Sequence, residues 1–456
     1  MGTRLNDGAT TRTLATWVAG LDETQLPDVV VERVKDILLD TFASAIAGNG
    51  GEEIDQIDAV ARAFGGPSDE ATVIGRAPSS AVGASLINGY LITAATVCDV
   101  HRPTLCHVTP EVIPPAMAIA ERQGTDGRSL IAAIAAGLEV TTRVGLGLQY
   151  EAFRRHGWHS PGVTGPFGGS ASAGRLLGLD ADRQCNAFGL AGSQAAGTFA
   201  HWGTPTIKFH QARGAMAGLL AASLAETGFQ ASPDILGAPD GGIFNTYADG
   251  GSIDEVVGGL GQRWELMNIS LRLWPVASSI QSMVTALFAI LDREPLDPGE
   301  IASVRIGLSE SVYKMHGELG WDTRFRALLS TRYVASVILH DKACWLPQFS
   351  PERIHDPIVD AFAREKVEVS VDPTLATNAA TVEIAMVSGR RLEERRAVPR
   401  GDAADPLTRE DVVDKFRTAS RGQASDAVAD RVIAAVTALE SVADASETIR
   451  LLRLGA

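Results

Sequence analysis

The chain has 456 residues, enough for two or three domains of ordinary size. Hydrophobic residues make up 45% and charged residues 21%, a composition typical of a globular protein whose core needs no disulfide or metal. The formal net charge of −15 argues against a nucleic-acid partner, which selects a clustered basic surface. It does not exclude a small anionic substrate, because a few local cations can dominate one pocket.

Four cysteines in so long a chain do not indicate a disulfide framework, and none has the C-x-x-C spacing typical of a zinc site. The N-terminal region has no basic segment followed by an apolar run, and no stretch of about 18 uninterrupted apolar residues occurs. The sequence therefore predicts a cytoplasmic protein with no metal site and no membrane partner.

Apolar residues recur at helical spacing through roughly the first 265 residues, interrupted by a short extended piece at 72–75. Asp126 is expected to cap one of these helices. The predicted helices are two within 11–45, then 80–95, 112–122, 129–143, 183–198 and 212–227. Helices that are apolar nearly all round are buried, so we expect a large helical core.

Strand patterns begin later. Alternating apolar and polar residues predict strands at 303–308, 367–371 and 381–387, and Ser388-Gly389 predicts a hairpin turn into a return strand. Helical patterns lie between them at 281–291 and 330–339, and helices return from Leu407 onward. We predict a mainly α protein with an α+β second domain. Residues 1–268 with 405–456 form the large all-helical domain, and residues 269–404 form the smaller one.

A polar segment, Cys98 to His107, follows one of the predicted buried helices. It contains Asp99, His101, Thr104 and His107. Burying such groups is costly unless they are paired or used in chemistry, so the segment is a candidate site. The alternative is a solvated loop between helices in which Asp99 serves as a cap.

Two further candidates are His159 and Lys208. His159 lies in a stretch rich in glycine and proline, 157–165, which predicts an ordered loop. Its imidazole suits general acid or base chemistry, although a structural histidine is the alternative. Lys208 has few charged neighbours in sequence, so it is either held against an anion or extended toward solvent along an apolar surface.

Arg272 lies at the predicted junction of the two domains, a common place for a ligand cleft. Its guanidinium can hold a carboxylate through two parallel hydrogen bonds. The alternative is an arginine that ties the two domains together.

In this order and spacing, these segments resemble the MmgE/PrpD family, which includes 2-methylcitrate dehydratase, cis-aconitate decarboxylase and iminodisuccinate epimerase. The matching segments are Asn88-Gly89 before Asp99, His107 with Ile113-Pro114-Pro115-Ala116, Gly157-Trp158-His159, Thr206-Ile207-Lys208, Arg272-Leu273-Trp274-Pro275 and Tyr333-Val334-Ala335. The resemblance covers nearly the whole chain. It implies a large all-helical domain, a smaller α+β domain and a homodimer.

The chain departs from the family pattern at several polar positions. The family's D-x-D-D-T-H segment here reads TVCDVH at 96–101, so only Asp99 and His101 remain of its polar groups. Arg272 stands for the lysine of the family's K-x-Y-P, and Gln281 stands where a histidine often follows. Arginine keeps the positive charge but does not exchange a proton near neutral pH.

The family's reactions share a carbanion next to a carboxylate, whose charge fixed cations and hydrogen-bond donors must stabilise. The resemblance implies catalytic roles for His159, Lys208, Tyr333, His107 and Asp99, and substrate binding by Arg272, His101, Thr104 and Gln281. Lys208 and Arg272 would stabilise the charge while His159 transfers the proton. We expect these three side chains to meet in a cleft between the domains, around a small polycarboxylate. No metal or organic cofactor is implied.

The simplest function that the resemblance implies is a 2-methylcitrate-type dehydratase. A decarboxylase or an epimerase is the alternative, which the loss of the family's acidic and threonine groups favours. A catalytically weakened binding member is a second alternative, against which the retention of His159, Lys208 and Tyr333 argues.

Overall fold

The computed structural model describes residues 9–454. The chain divides into two compact units. The helical unit ends at Ile269 and resumes at Thr408, and the mixed unit is Ser270–Leu407. The limits predicted from the sequence, 268 and 404, lie one and three residues earlier.

The helical unit begins with twelve helices among the described residues before 269. They are α1 Ala9–Gly20, α2 Asp28–Gly48, α3 Ile54–Gly65, α4 Ala81–Ala94, α5 Thr109–Gln123, α6 Gly127–Gly147, α7 Tyr150–Arg155, α8 Ser160–Leu176, α9 Ala181–Ser193, α10 Thr206–Glu226, α11 Ile243–Tyr247 and α12 Ile253–Val257. The short strands are β1 Ala71–Val73, β2 Arg76–Ser79, β3 Val100–His101 and β4 Ile269–Ser270, and β1 pairs with β2 in an antiparallel hairpin. The predicted helical texture is confirmed.

Helix α6 lies in the core of this unit. Asp126 caps it as predicted, accepting a hydrogen bond from the Ser129 backbone N–H at 3.0 Å. By length and composition α6 is apolar enough to cross a membrane, and nearly all of its most apolar part is buried inside the protein. A core helix that is apolar all round passes the same test.

Helices α8 and α10 pack unusually close together because small residues face each other. A Cβ atom on Gly218 would lie only 2.7 Å from the Cα atom of Gly169, so no larger residue fits at that crossing. The expectation of a loop throughout 157–165 is wrong from Ser160 onward. Pro161 lies in the first turn of α8, where its missing N–H is not needed. His159 is therefore the residue that precedes a helix.

The mixed unit combines six helices with a four-stranded sheet. Its elements are α13 Gln281–Arg293, β5 Ile301–Leu308, α14 Glu310–His316, α15 Arg324–Ala327, α16 Thr331–Asp341, α17 Pro351–Ile354, α18 Pro357–Glu365, β6 Val367–Val371, β7 Ala380–Met386 and β8 Arg391–Arg396. The strand order is β6-β5-β7-β8, with β5 parallel to β6 and the other pairs antiparallel. The three predicted strands and the hairpin are confirmed.

The chain then returns to the helical unit as α19 Arg409–Ser420, α20 Asp426–Thr437 and α21 Ala445–Arg450. Helix α19 packs on α2, where the buried Lys415 ammonium lies 2.6 Å from the Asp40 carboxylate. The same ammonium donates to the Val97 carbonyl at 2.9 Å. The C-terminal helices therefore help to fix the backbone just before the polar segment that contains Asp99.

Candidate active site

Two histidines form the centre of the candidate site in the helical unit. His159, just before α8, and His210, in the second turn of α10, face each other with their Nδ1 atoms 3.1 Å apart. Only 7% and 6% of their surfaces are exposed. Two imidazole nitrogens at this distance share a single proton, so one ring donates and the other accepts.

The surroundings of both rings favour the neutral form. Burial lowers the pKa of His159 well below its usual range, and the positive charge of His210, His107 and Arg154 lowers it further. Burial lowers the pKa of His210 to about 4, with Arg213 and His201 adding to the effect. Near neutral pH the pair is therefore uncharged and is poised to take up a proton when negative charge approaches.

The backbone at Gly197 shapes the pocket of the pair. The carbonyl of Gly197 accepts a hydrogen bond from the His159 backbone N–H at 2.9 Å. A Cβ atom on Gly197 would lie 2.9 Å from the His210 ring, and its φ of 126° lies in the region that favours glycine. Because Gly197 has no side chain, it can hydrogen-bond to the His159 backbone and also pack directly against the His210 ring.

Lys208 lies in the first turn of α10, two residues before His210. The predicted helix begins at 212, so the sequence analysis placed Lys208 outside a helix that includes it. The side chain is 5% exposed, and its Nζ donates to the Ala94 carbonyl at 2.7 Å, at the end of α4. Lys208 therefore brings a buried positive charge to the helix that carries His210.

His107 is half-buried at the end of the polar segment. Its Nδ1 lies 2.6 Å from the Asp99 backbone carbonyl, which only accepts, so Nδ1 carries the proton and Nε2 is the basic nitrogen. His107 lies near enough to His159 that its positive charge lowers the pKa of the His159 imidazole.

The resemblance implied a catalytic role for Asp99, and in the structure its carboxylate makes hydrogen bonds inside the protein. The residue is fully buried, and its carboxylate accepts from the Val108 N–H at 2.8 Å and from the Thr109 N–H and hydroxyl at 3.1 and 2.5 Å. Burial raises its pKa, and these hydrogen bonds oppose the rise. Asp99 caps the start of α5, as the alternative interpretation expected, but it is buried and not solvated. Its backbone carbonyl also positions His107.

His101 and Thr104 were expected to bind substrate, but their polar atoms are engaged inside the core. His101 Nδ1 lies 2.8 Å from the Thr104 hydroxyl, and its Nε2 lies 3.0 Å from Glu265. The hydrogen bond from His101 lowers the pKa of Glu265 to about 2. The two predicted binding residues are 0% and 1% exposed, and their polar side-chain atoms make hydrogen bonds inside the helical unit. Substrate binding by His101 and Thr104 stays a prediction.

In the mixed unit, Arg272 and Gln281 hold a turn. Arg272 Nη1 donates to the Val276 carbonyl at 3.0 Å, and Gln281 Nε2 donates to the Trp274 and Val276 carbonyls at 2.9 and 3.1 Å. Tyr333 is buried, and its hydroxyl donates to the Gln348 carbonyl at 2.5 Å. Burial raises the pKa of the Tyr333 phenol above its usual value. The predicted meeting of Arg272 with His159 and Lys208 stays a prediction.

Two residues of this region, His210 and Glu111, were not predicted from the sequence. His210 is two positions after Lys208, and that proximity was the only signal for it. Glu111, in the first turn of α5, is fully buried, and neither carboxyl oxygen accepts a hydrogen bond from another described residue. Burial raises the pKa of the Glu111 carboxyl well above its usual range, and the charge of Asp99 raises it further. Among residues 9–454, no group of three or more His, Cys, Asp or Glu side chains could hold a metal ion.

Both units of the chain match models of one protein family. The model of the MmgE/PrpD N-terminal domain matches residues 12–255, and that of the MmgE/PrpD C-terminal domain matches residues 274–441. The chain belongs to the MmgE/PrpD family, which confirms the resemblance and the two-part fold.

Several relatives with the same name align with this chain over nearly their whole length. Cis-aconitate decarboxylase from Aspergillus terreus is 26% identical, covering 96% of this chain and 94% of that protein. The proteins of the same name from Mus musculus and Homo sapiens are also 26% identical. They cover 97% of this chain, and 93% and 94% of their own lengths.

Proposed function

We propose that this protein is a decarboxylase of a small unsaturated tricarboxylate such as cis-aconitate. The observation that supports this most is the full-length similarity to proteins named cis-aconitate decarboxylase from a fungus and from two mammals. It favours the decarboxylase alternative over the 2-methylcitrate-type dehydratase that the resemblance most simply implied.

The proposed reaction needs a proton for the carbanion and a positive side chain to stabilise the carboxylate next to it. The carboxylate on the methylene carbon of cis-aconitate leaves as CO₂, and the electron pair of the broken C–C bond forms a terminal double bond. The original double-bond pair moves to the carbon next to a second carboxylate, and that carbon takes one proton. A trianion and one proton thus give CO₂ and a dianion with a terminal methylene group.

Residues of the helical unit fit these needs. His159 is the proposed proton donor, because its Nδ1 faces His210 and its Nε2 has no hydrogen-bond partner among the described residues. Lys208 is the proposed cation that stabilises the carboxylate next to the carbanion. His107, with its basic Nε2, is the proposed contact for another carboxylate once protonated. Roles for Arg272 and Tyr333 remain predictions.

The test is a product assay on the purified protein. Proton NMR should show the two vinyl protons of the new methylene group, together with release of CO₂, and a reaction in D₂O should place one deuterium next to a carboxylate. His159→Gln is the matched control and should give no product. Conversion of 2-methylcitrate but not cis-aconitate would identify a dehydratase instead. Binding of cis-aconitate without turnover, seen as thermal stabilisation, would identify a weakened binding member.

The homodimer and the cytoplasmic location also stay proposals. Light scattering of the purified protein would check the first.

A further inference from the structure

We propose that Arg154, in α7, is a specificity-determining residue that binds the carboxylate on the central carbon of the substrate. This inference rests on the proposed function, which requires a tricarboxylate. Arg154 lies outside the segments that carry the family resemblance, so its role is argued from its own contacts.

Helix α7 ends in two arginines that differ in their partners. Arg155 and the following residue, His156, share the Asp249 carboxylate, each at 2.7 Å. Among residues 9–454, Arg154 forms no ion pair and its guanidinium donates no hydrogen bond to another residue. Arg154 is half-buried, so water screens its charge only in part. A guanidinium has five N–H donors in a planar fork that matches a carboxylate, and here these donors are available to a ligand.

Arg154 and His159 pack on the same aromatic ring. The guanidinium carbon of Arg154 lies 3.6 Å from the centre of the Phe199 ring. The His159 ring meets Phe199 edge to face, with their centres 6.1 Å apart. Phe199 is itself held by parallel stacking on Trp202, with 5.5 Å between the ring centres. A six-carbon substrate beside His159 therefore lies within reach of the guanidinium.

The charges around His159 are complementary to an anion. After burial, the groups that lower the pKa of its imidazole are His210, His107 and Arg154, and none of them is a carboxylate. A guanidinium, unlike an imidazole, keeps its charge at neutral pH. Arg154 therefore supplies a permanent positive charge next to the proposed proton donor, and no acidic side chain pairs with it.

The charge changes in the reaction indicate which carboxylate Arg154 binds. The leaving carboxylate becomes neutral CO₂, and a guanidinium that held it would oppose this loss of charge. Of the two carboxylates that stay in the product, Lys208 is the proposed partner of the one next to the carbanion. Arg154 therefore binds the carboxylate on the central carbon, which keeps its charge throughout the reaction.

The first experiment measures binding without turnover, by calorimetry with three probes. We expect Arg154→Gln to weaken the binding of propane-1,2,3-tricarboxylate on the order of 10- to 100-fold, the effect of losing a charged hydrogen-bonded pair. The same loss is expected for 2-methylbutanedioate, which keeps the central carboxylate and lacks a terminal one. Pentanedioate lacks the central carboxylate and should bind both proteins equally. Equal weakening of all three probes, or of none, would overturn the assignment.

The second experiment measures turnover of cis-aconitate. The central carboxylate is charged in both the substrate and the transition state, so its partner contributes equally to binding both. Arg154→Gln should therefore raise KM by about 10-fold or more and change kcat by less than about threefold. Arg155→Gln is the matched control, because Arg155 is exposed and paired with Asp249. A lower kcat at an unchanged KM would overturn the binding role.

If Arg154→Gln fails to fold, Arg154→Lys decides the question, because it keeps the charge and loses the planar fork. It should weaken binding of the tricarboxylate by about three- to tenfold, and binding within twofold of the wild type would overturn the inference. A wild-type protein that decarboxylates cis-aconitate while Arg154→Gln matches its KM would overturn this inference alone. A wild-type protein that binds the tricarboxylate through Arg154 but does not convert cis-aconitate would overturn the proposed function and support the Arg154 site.

Discussion

Two buried histidines in the helical unit have opposite surroundings. His101 is fully buried, with one ring nitrogen on the Thr104 hydroxyl and the other on the Glu265 carboxylate. His159 is almost as buried, but its partner is the imidazole of His210. The first histidine pairs with a negative charge, and the second pairs with a group that is itself neutral or positive.

This difference separates a structural histidine from a reactive one. The Glu265 carboxylate, whose pKa falls to about 2, fixes the protons and the position of His101. The environment of His159 disfavours its charge, so an arriving anion can change its protonation. Burial alone therefore does not mark a catalytic histidine, whereas the charge of its partner does.

Loss of the His159 imidazole should have the largest effect on kcat. We expect His159→Gln to lower kcat for cis-aconitate by at least about 10²-fold, since it removes the proposed proton donor. The free energy of unfolding should change by less than about 1 kcal/mol, because no ion pair is broken. Steady-state kinetics and urea unfolding check the two parts. Turnover within twofold of the wild type would show that His159 is not the donor.

Loss of the buried hydrogen bond between His101 and Glu265 should lower the free energy of unfolding instead of the activity. Glu265→Ala leaves His101 buried without its carboxylate, which should cost about 3–5 kcal/mol of unfolding free energy. Urea unfolding measures this cost. The control is Glu255→Ala, which removes an exposed pair with Arg263 and should cost at most about 1 kcal/mol. Similar costs for the two variants would mean that the buried pair does not stabilise the fold.

Loss of the Asp99 cap should lower the free energy of unfolding by an intermediate amount. Asp99→Asn replaces one of the two carboxylate oxygens with an NH2 group that cannot accept a hydrogen bond. Either Val108 or Thr109 therefore loses its acceptor, which should cost about 1–3 kcal/mol. The measurement is again urea unfolding, combined with the KM for cis-aconitate. A change in the kinetics without any loss of stability would support the role at the active site that the resemblance implied for Asp99.

Acid should destabilise the wild type more than His210→Gln. The pKa of His210 is about 4 in the folded protein, against about 6.5 when unfolded, so the unfolded chain binds more protons between these values. The stability that neutral His210 contributes is present above about pH 6.5 and is lost as pH falls toward the folded pKa. Between about pH 7 and pH 5 the wild type should lose on the order of 1 kcal/mol more than the variant. An equal loss of unfolding free energy in the wild type and the variant would show that His210 is not held neutral.

The sequence predicted the fold more fully than the site. Periodicity predicts most helices and strands because the pattern of apolar residues records which face each element buries. At the site it predicted His159, Lys208 and His107, which lie in the helical unit as expected. The resemblance implied a catalytic role for Asp99 and substrate binding by His101 and Thr104. The hydrogen bonds that these side chains make inside the protein were not predicted, because a polar loop has the same sequence pattern whether its polar groups bond internally or face a substrate.

By itself, the sequence determined the helical and mixed units, the Asp126 cap and membership of the MmgE/PrpD family, because these follow from local pattern and motif order. Only the tertiary structure decided which partner each buried group received. His101 pairs with Glu265, 164 positions away, and His159 pairs with His210, 51 positions away. Glu111 would be an ordinary acid in the first turn of a helix, but packing against Gly165 and Gly214 buries it. Such pairings depend on how helices cross, and no local pattern contains that geometry.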